Sequence, residues 1–302
     1  MISPIFIGIE VIFEMLIPTL MAVIIDSGLN GNDGKGDMKF IIIMGLATFG
    51  VAMLSLSCGI QASKYASYAS AGFAKNLREG MFRNIQNFSF SNIDKFSSAS
   101  LVTRLTTDIT NVQNSYQMIL RMLMRAPATL IFALIMTVSI SKDMSVIFFV
   151  AIFFLATALA LIIAIAFKLF NQVFEKYDAL NANVQENISG IRVVKSYVQE
   201  DKEISKFDKA ITNLYELFVK AESLVVLNNP LMMLTIYACI IALSWFGAKR
   251  IVAGALTTGE LTSLFSYIMS ILISLMMLSF AFVMITLSEA SAKRIAEVLQ
   301  EE

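Results

Sequence analysis

The chain has 302 residues, 57% hydrophobic and only 15% charged, with a mean hydropathy of +0.73, which excludes an ordinary soluble domain and makes the lipid bilayer its solvent. Lys and Arg balance Asp and Glu at 23 each, so no basic excess points to nucleic acid, and zero His with only Cys58 and Cys239 excludes a Cys/His metal cluster or a disulfide framework. Four Pro, 14 Gly and no two-residue alternation argue against a membrane barrel and for an all-α membrane protein.

The apolar runs predict six transmembrane helices, at about 2–25, 40–63, 118–141, 144–167, 223–248 and 261–288. The first carries Glu10 and Glu14 one turn apart, and no basic stretch precedes it, so it reads as a retained span rather than a secretory signal. Carboxylates in a span face the bundle interior or water, which makes Glu14, near the middle of the run, a candidate contact for substrate, with Glu10 nearer one surface. Its structural alternative is a hydrogen bond to a neighbouring helix. Pro18 and Pro127 fall inside spans and are candidate kinks.

The connections alternate in length. DSGLNGNDGKGD (26–37), SISKDM (139–144) and RIVAGALTTGE (250–260) are short, with turn chemistry in the Gly-bearing two. Those at 64–125 and 168–222 are long, lack Pro except at their flanks, and are rich in helix formers such as NLREGMFRNIQ (76–86) and VFEKYDALNANVQENI (173–188). They predict membrane helices continuing about 35 Å beyond the bilayer as two hairpins. Only five of the 23 Lys and Arg residues, Lys35, Lys39, Lys142, Lys249 and Arg250, lie on the short-loop side, so both termini and both hairpins are expected in the cytoplasm.

Each hairpin must turn. The first tip, NFSFSNIDKFSSASLVTRLTTDI (87–109), is crowded with Ser and Thr, and the second follows Gly190 with charges gathered at 200–203. Both carry apolar side chains among the polar ones, Ile93, Phe96 and Leu101 in one and Val193, Val194, Tyr197 and Val198 in the other, as knobs for a partner would be. The alternative is a pair of solvated helix ends.

Three segments, FSNIDKFSSASLVTRLTTDITNVQ (90–113), ENISGIRVVKSYVQEDKEISKFDKA (186–210) and SEASAKRIAEVL (288–299), in this order between six spans, resemble the transmembrane domain of bacterial ATP-binding-cassette (ABC) exporters of the type 1 fold, closest to multidrug-type half-transporters. The resemblance covers essentially the whole chain. It implies that the tips, near Ser91–Ser100 and Ser196–Phe207, are coupling helices that dock on nucleotide-binding domains. The residues matching the family pattern are Asp94, Phe96, Arg104 and Asp108 in the first, and Glu186, Gly190, Lys195, Glu200 and Phe207 in the second. It further implies a second transmembrane half, with a heterodimer favoured, a small amphipathic drug- or lipid-like substrate, and a multi-pass place in a bacterial inner membrane.

No Gly-x4-Gly-Lys-Ser/Thr phosphate loop occurs in the chain, so ATP and Mg are expected on a nucleotide-binding domain outside it, and catalytic, cofactor and metal residues are expected in none of the 302 positions. The sequence is expected to be a piece of a longer protein or the partner of a separate ATPase subunit. For the cavity, the last span offers Tyr267, Met276 and Phe280 beside Glu14 and Glu10. Two other readings stand beside this one: an ion-coupled secondary transporter using Glu14, and a lipid or peptide exporter of the same family.

Overall fold

The computed structural model describes residues 2–29 and 36–301, with the side chains of 94, 95 and 287 left out; part of the first short connection therefore lies outside the described residues. It is helical almost throughout, with no strand among the described residues. Six helical stretches are long and apolar enough to cross a membrane, Ser3–Leu29, Met38–Gln86, Ser98–Ile140, Lys142–Ser189, Glu200–Val252 and Thr258–Gln300.

In chain order these are α1 (Ser3–Val23), passing into a π-helical stretch Ile24–Leu29; α2 (Met38–Gln86); α3 (Phe90–Phe96); α4 (Ser98–Thr103); α5 (Ile109–Met118); α6 (Met124–Ile140); α7 (Lys142–Ser189); α8 (Ile191–Ser196); α9 (Glu200–Val226); α10 (Asn228–Val252); and α11 (Thr258–Gln300). The 49 residues of α2 reach about 74 Å at 1.5 Å per residue, more than twice the hydrocarbon thickness. Asp37 starts α2 by accepting from the backbone N–H of Lys39 and Phe40, and Thr257 starts α11 with a capping box that Glu260 completes.

Pro18 lies within α1 without ending it, and Pro127 lies in the first turn of α6. The stretch immediately before α6, Ile119–Leu123, is π-helical, a wider turn that accommodates the donor Pro127 lacks. A third π-helical stretch, Arg104–Asp108, joins α4 to α5.

The chain forms two compact units. The first holds residues 1–152 and 236–302, where α1 packs against α2, α6 and α11, and α5 lies against α2 and α11. Small side chains at Ala62, Ala66, Ser70 and Ala74 form the buried stripe of α2, which lets neighbouring backbones come close. The second unit, residues 153–235, holds most of α7, all of α8 and α9, and the start of α10; within it Phe170 and Phe218 meet edge to face at 6.3 Å.

Candidate functional site

The first tip turns at Ser97, not within a continuous helix over Ser91–Ser100. Ser97 adopts φ +53°, a left-handed conformation uncommon outside glycine, and its hydroxyl accepts from the N–H of Ser100 to start α4. Phe88 and Phe96 stack at 5.7 Å across the α3 turn. Phe96, expected as an exposed knob, is instead buried with Ala74, Met81, Leu101, Ile109, Ile295 and Val298. The tip is thus anchored on α2 and on the end of α11.

Polar contacts tighten that anchor. Asp108 is 1% exposed and accepts two hydrogen bonds from Arg294, from Nε at 2.8 Å and from Nη2 at 2.5 Å. Arg104 donates to Glu297 at 2.9 Å and to the Arg294 carbonyl at 2.7 Å, with its guanidinium 5.0 Å from the Phe96 ring centre. Asn84 of α2 donates to the carbonyls of Val298 and Glu301 at 2.7 and 2.9 Å. Asp108 and Arg294 lie beyond the apolar cores of their helices, and the Arg294 hydrogen bonds hold the Asp108 carboxyl below the usual carboxylate value against the opposing effect of burial. Sequence reasoning named Phe96, Arg104 and Asp108 but missed Asn84, Arg294 and Glu297; the i, i+3 spacing of Arg294 and Glu297 is the signal that pairs them on one face. The side chain of Asp94 lies outside the described residues.

The second tip differs from the single Ser196–Phe207 helix that was expected. The chain leaves α7 at Gly190, makes the short α8, and reverses at Val198, which has φ +50° and is 80% exposed. A β-branched residue in that region is strained, at a cost of about 1–3 kcal/mol. Gly190 has φ −90° and is not the positive-φ residue; a Cβ there would stand 3.3 Å from the Glu186 carbonyl oxygen. Lys195 and Glu200 pair across the turn at 3.4 Å, and Asn187 donates to Glu203 at 3.0 Å. Glu186 and Phe207 are exposed.

Among the membrane-embedded candidates, Glu10 and Glu14 do share one face, and Arg125 of α6 meets both, at 2.7 and 2.6 Å. Two carboxylates thus share one guanidinium. The Glu10 side chain is 14% exposed and sits against Gly59 of α2, where a Cβ would stand 2.9 Å from its Oε1; Glu14 is 41% exposed. Tyr267 is 0% exposed, donating to the Met15 carbonyl at 2.8 Å with Thr19 at 2.7 Å, and so lies in the packing between α1 and α11. Met276 is half-buried and Phe280 exposed on α11. No group of three or more metal-ligating side chains occurs among the described residues.

Residues 1–276 match the family model described as ABC transporter transmembrane region. The chain is similar to the uncharacterized ABC transporter ATP-binding protein YfiB of Bacillus subtilis, 33% identical over 97% of this chain and 50% of that protein. It is more distantly similar to the ATP-dependent lipid A-core flippase of Desulfotalea psychrophila, 24% identical over 54% of this chain and 28% of that protein. Over 33% of its length, and 17% of the other, it is 30% identical to the probable multidrug resistance ABC transporter ATP-binding/permease protein YheI of Bacillus subtilis. The chain spans about half the length of the curated relatives it matches end to end.

Proposed function

Because the chain belongs to the ABC transporter transmembrane family, we propose that it is the membrane half of an ATP-driven exporter that moves small amphipathic molecules out of the cytoplasm. In this reading two such halves, a heterodimer by preference, enclose the pathway in a bacterial inner membrane. Both termini and both tips face the cytoplasm, where nucleotide-binding domains outside residues 1–302 hold ATP and Mg. The drug- and lipid-handling names among the relatives support an amphipathic cargo.

The observation that carries this reading is the anchor of the first tip. Asp108–Arg294 and Arg104–Glu297 tie the tip to the end of α11, the last described helix. A displacement applied at the tip is therefore delivered along α11, whose 43 residues run back through the membrane. Nucleotide moves the equilibrium between inward- and outward-facing forms to the extent that it binds one form better, and the tips carry that preference. The second tip presents Lys195, Glu200 and exposed Tyr197 and Val198 as a docking edge.

The test uses the full-length protein in proteoliposomes. Replacing Lys195 and Glu200 together by Ala leaves expression and basal ATP hydrolysis in place while separating hydrolysis from ATP-dependent uptake of a fluorescent amphipathic cation. Unchanged stoichiometry of transport to hydrolysis rejects the docking role, and no ATP-dependent transport in the parent rejects the exporter reading.

The sharing of Arg125 by two carboxylates, Glu10 and Glu14, is the one observation favouring the ion-coupled alternative, with a proton as the coupling ion. That reading requires uptake driven by a pH gradient without ATP.

A further inference from the structure

The charges carried by the first and third spans are matched in spacing. Glu10 and Glu14 stand four residues apart on α1, and Arg121 and Arg125 stand four residues apart at the start of the third span. The first and third spans of a bundle that alternates direction run the same way, so Arg121 precedes Arg125 along the shared axis as Glu10 precedes Glu14. α1 packs against both α6 and the Ile119–Leu123 stretch that holds Arg121.

The two arginines are used unequally. Arg125 reaches Glu10 through Nη1 and Glu14 through Nη2, and therefore sits between their levels. Arg121 is exposed and meets no carboxylate among the described residues. The carboxylates differ too. Glu10 is enclosed beside Gly59, with 14% of its side chain exposed, whereas Glu14 keeps 41%. If Arg125 left Glu10 for Glu14 alone, it would strand a carboxylate in a low dielectric, a far costlier event than the loss of an exposed pair. The next cation along the same helix, one turn earlier, is Arg121.

The third span has slack at this point. Ile119–Leu123 is π-helical, with more residues in each turn than an α-helix, and such stretches inside α-helices recur at functional sites. Pro127 has no N–H, so the hydrogen bond that would run from residue 127 to the Leu123 carbonyl across this joint is already missing. Glu10 and Glu14 are separated by about 6 Å along the helix axis. Moving α6 toward Glu14 by half of that, about 3 Å, brings Arg125 level with Glu14 and Arg121 level with Glu10, a shift within the range of helix slides and one-turn ratchets at packed interfaces.

We infer that Arg121 is the second cation of a two-position ion-pair register between α1 and the third span. In the register seen, Arg125 is shared by both carboxylates; in the other, Glu10 pairs with Arg121 and Glu14 with Arg125. The exchange leaves Glu10 paired at both ends and adds one ion pair, which offsets the rearrangement of the π-helical stretch. That the two registers belong to the transport cycle rests on the exporter reading; the exchange itself does not.

The test is a double-mutant cycle in the full-length protein without nucleotide. Unfolding is read in detergent at Cys239, 5% exposed, by a thiol-reactive fluorophore, with every other cysteine replaced by Ser. Arg121→Gln alone lowers the thermal midpoint by less than about 1 °C, because Arg121 has no partner in the register seen. In an Arg125→Gln background the same change lowers it by about 3 °C or more, because Arg121 then serves Glu10. Arg125→Lys, whose single ammonium replaces the two-armed guanidinium, is the background where Arg125→Gln fails to fold. In proteoliposomes, Arg121→Gln lowers ATP-driven transport of a neutral fluorescent amphipath about tenfold, the factor one hydrogen bond to a charged group is worth, and Arg121→Lys recovers most of it. Equal midpoint drops in the two backgrounds, or transport by Arg121→Gln within about twofold of the parent, overturns the register. A drop confined to the Arg125-substituted background, in a protein whose parent shows no ATP-driven transport, supports the exchange and removes the exporter reading.

Discussion

Two charged groups differ in what their burial asks of them. Asp108 is sealed from water while Arg294, its partner, keeps 46% of its side chain exposed, so the pair is worth less than a fully buried one. Asp108→Asn is expected to destabilise the fold by roughly 1.5–3 kcal/mol, the range for hydrogen bonds to charged groups, read as a lower thermal midpoint in detergent. The sign of the pH effect follows from the lowered carboxyl. Its stabilisation is complete above the unfolded carboxylate value of about 3.9 and disappears as pH falls through the folded value. The gap between parent and variant midpoints therefore narrows on acidification below about pH 4, and a gap that widens there would contradict the assignment. Within the membrane, Glu10 is the more enclosed of the two carboxylates that Arg125 serves, so Glu10→Gln should cost more stability than Glu14→Gln. Glu14→Gln, at the more open position, should instead alter transport of cationic compounds more than neutral ones; equal effects on both would remove Glu14 from selectivity.

At the scale of elements, the two tips show what a sequence discloses and what it withholds. Runs of Ser, Thr and charge announced that the chain turns near 87–109 and 190–203, because these residues compete with helix hydrogen bonds. They did not announce where. The left-handed residues are Ser97 and Val198, neither of which local propensity selects, and Gly190, the residue best suited to that conformation, stays at φ −90°. Phe96 was legible as an apolar side chain in a polar stretch, but its burial on Ile295 and Val298 depends on residues two hundred positions away. The strain at Val198 makes a local prediction. Val198→Gly releases about 1–3 kcal/mol of strain and gives back about 0.4–1 kcal/mol in unfolded-chain entropy, for a net gain of about 1 kcal/mol. Slower amide hydrogen exchange across 191–204 is the expected readout; faster exchange there would mean that Val198 is held by contacts that Gly cannot replace.

For the whole molecule, the six apolar stretches were legible because length and charge exclusion define four of them outright and the other two are broken only by Glu10 and Glu14 or by Arg121 and Arg125, whereas the pairing of helices was not, since lipid-facing and helix-facing surfaces are equally apolar. The polar side chains decide that pairing, and they sort into seams of two kinds. Asn84 bonds the carbonyls of both Val298 and Glu301, beside a buried apolar cluster and two ion pairs, and parting there would strand the buried Asp108 carboxylate, whose Arg294 partner lies on α11. Between α1 and α11, by contrast, Ser263 and Thr257 each keep a partner on α11 itself. A two-state machine needs interfaces that stay closed and interfaces that open, and the physical difference is whether parting strands a buried polar group. Cysteine pairs bridged by a short bifunctional thiol reagent distinguish the two. Bridging Asn84→Cys to Glu301→Cys should leave ATP-driven efflux by the full-length protein within about twofold of the unbridged level, because these segments travel together. Bridging Asp26→Cys to Thr257→Cys should lower efflux about tenfold or more, with recovery on reduction, because it fixes one of the two states. Full efflux with Asp26 and Thr257 bridged would show that α1 and α11 move as one body and would shift the opening to another pair of helices.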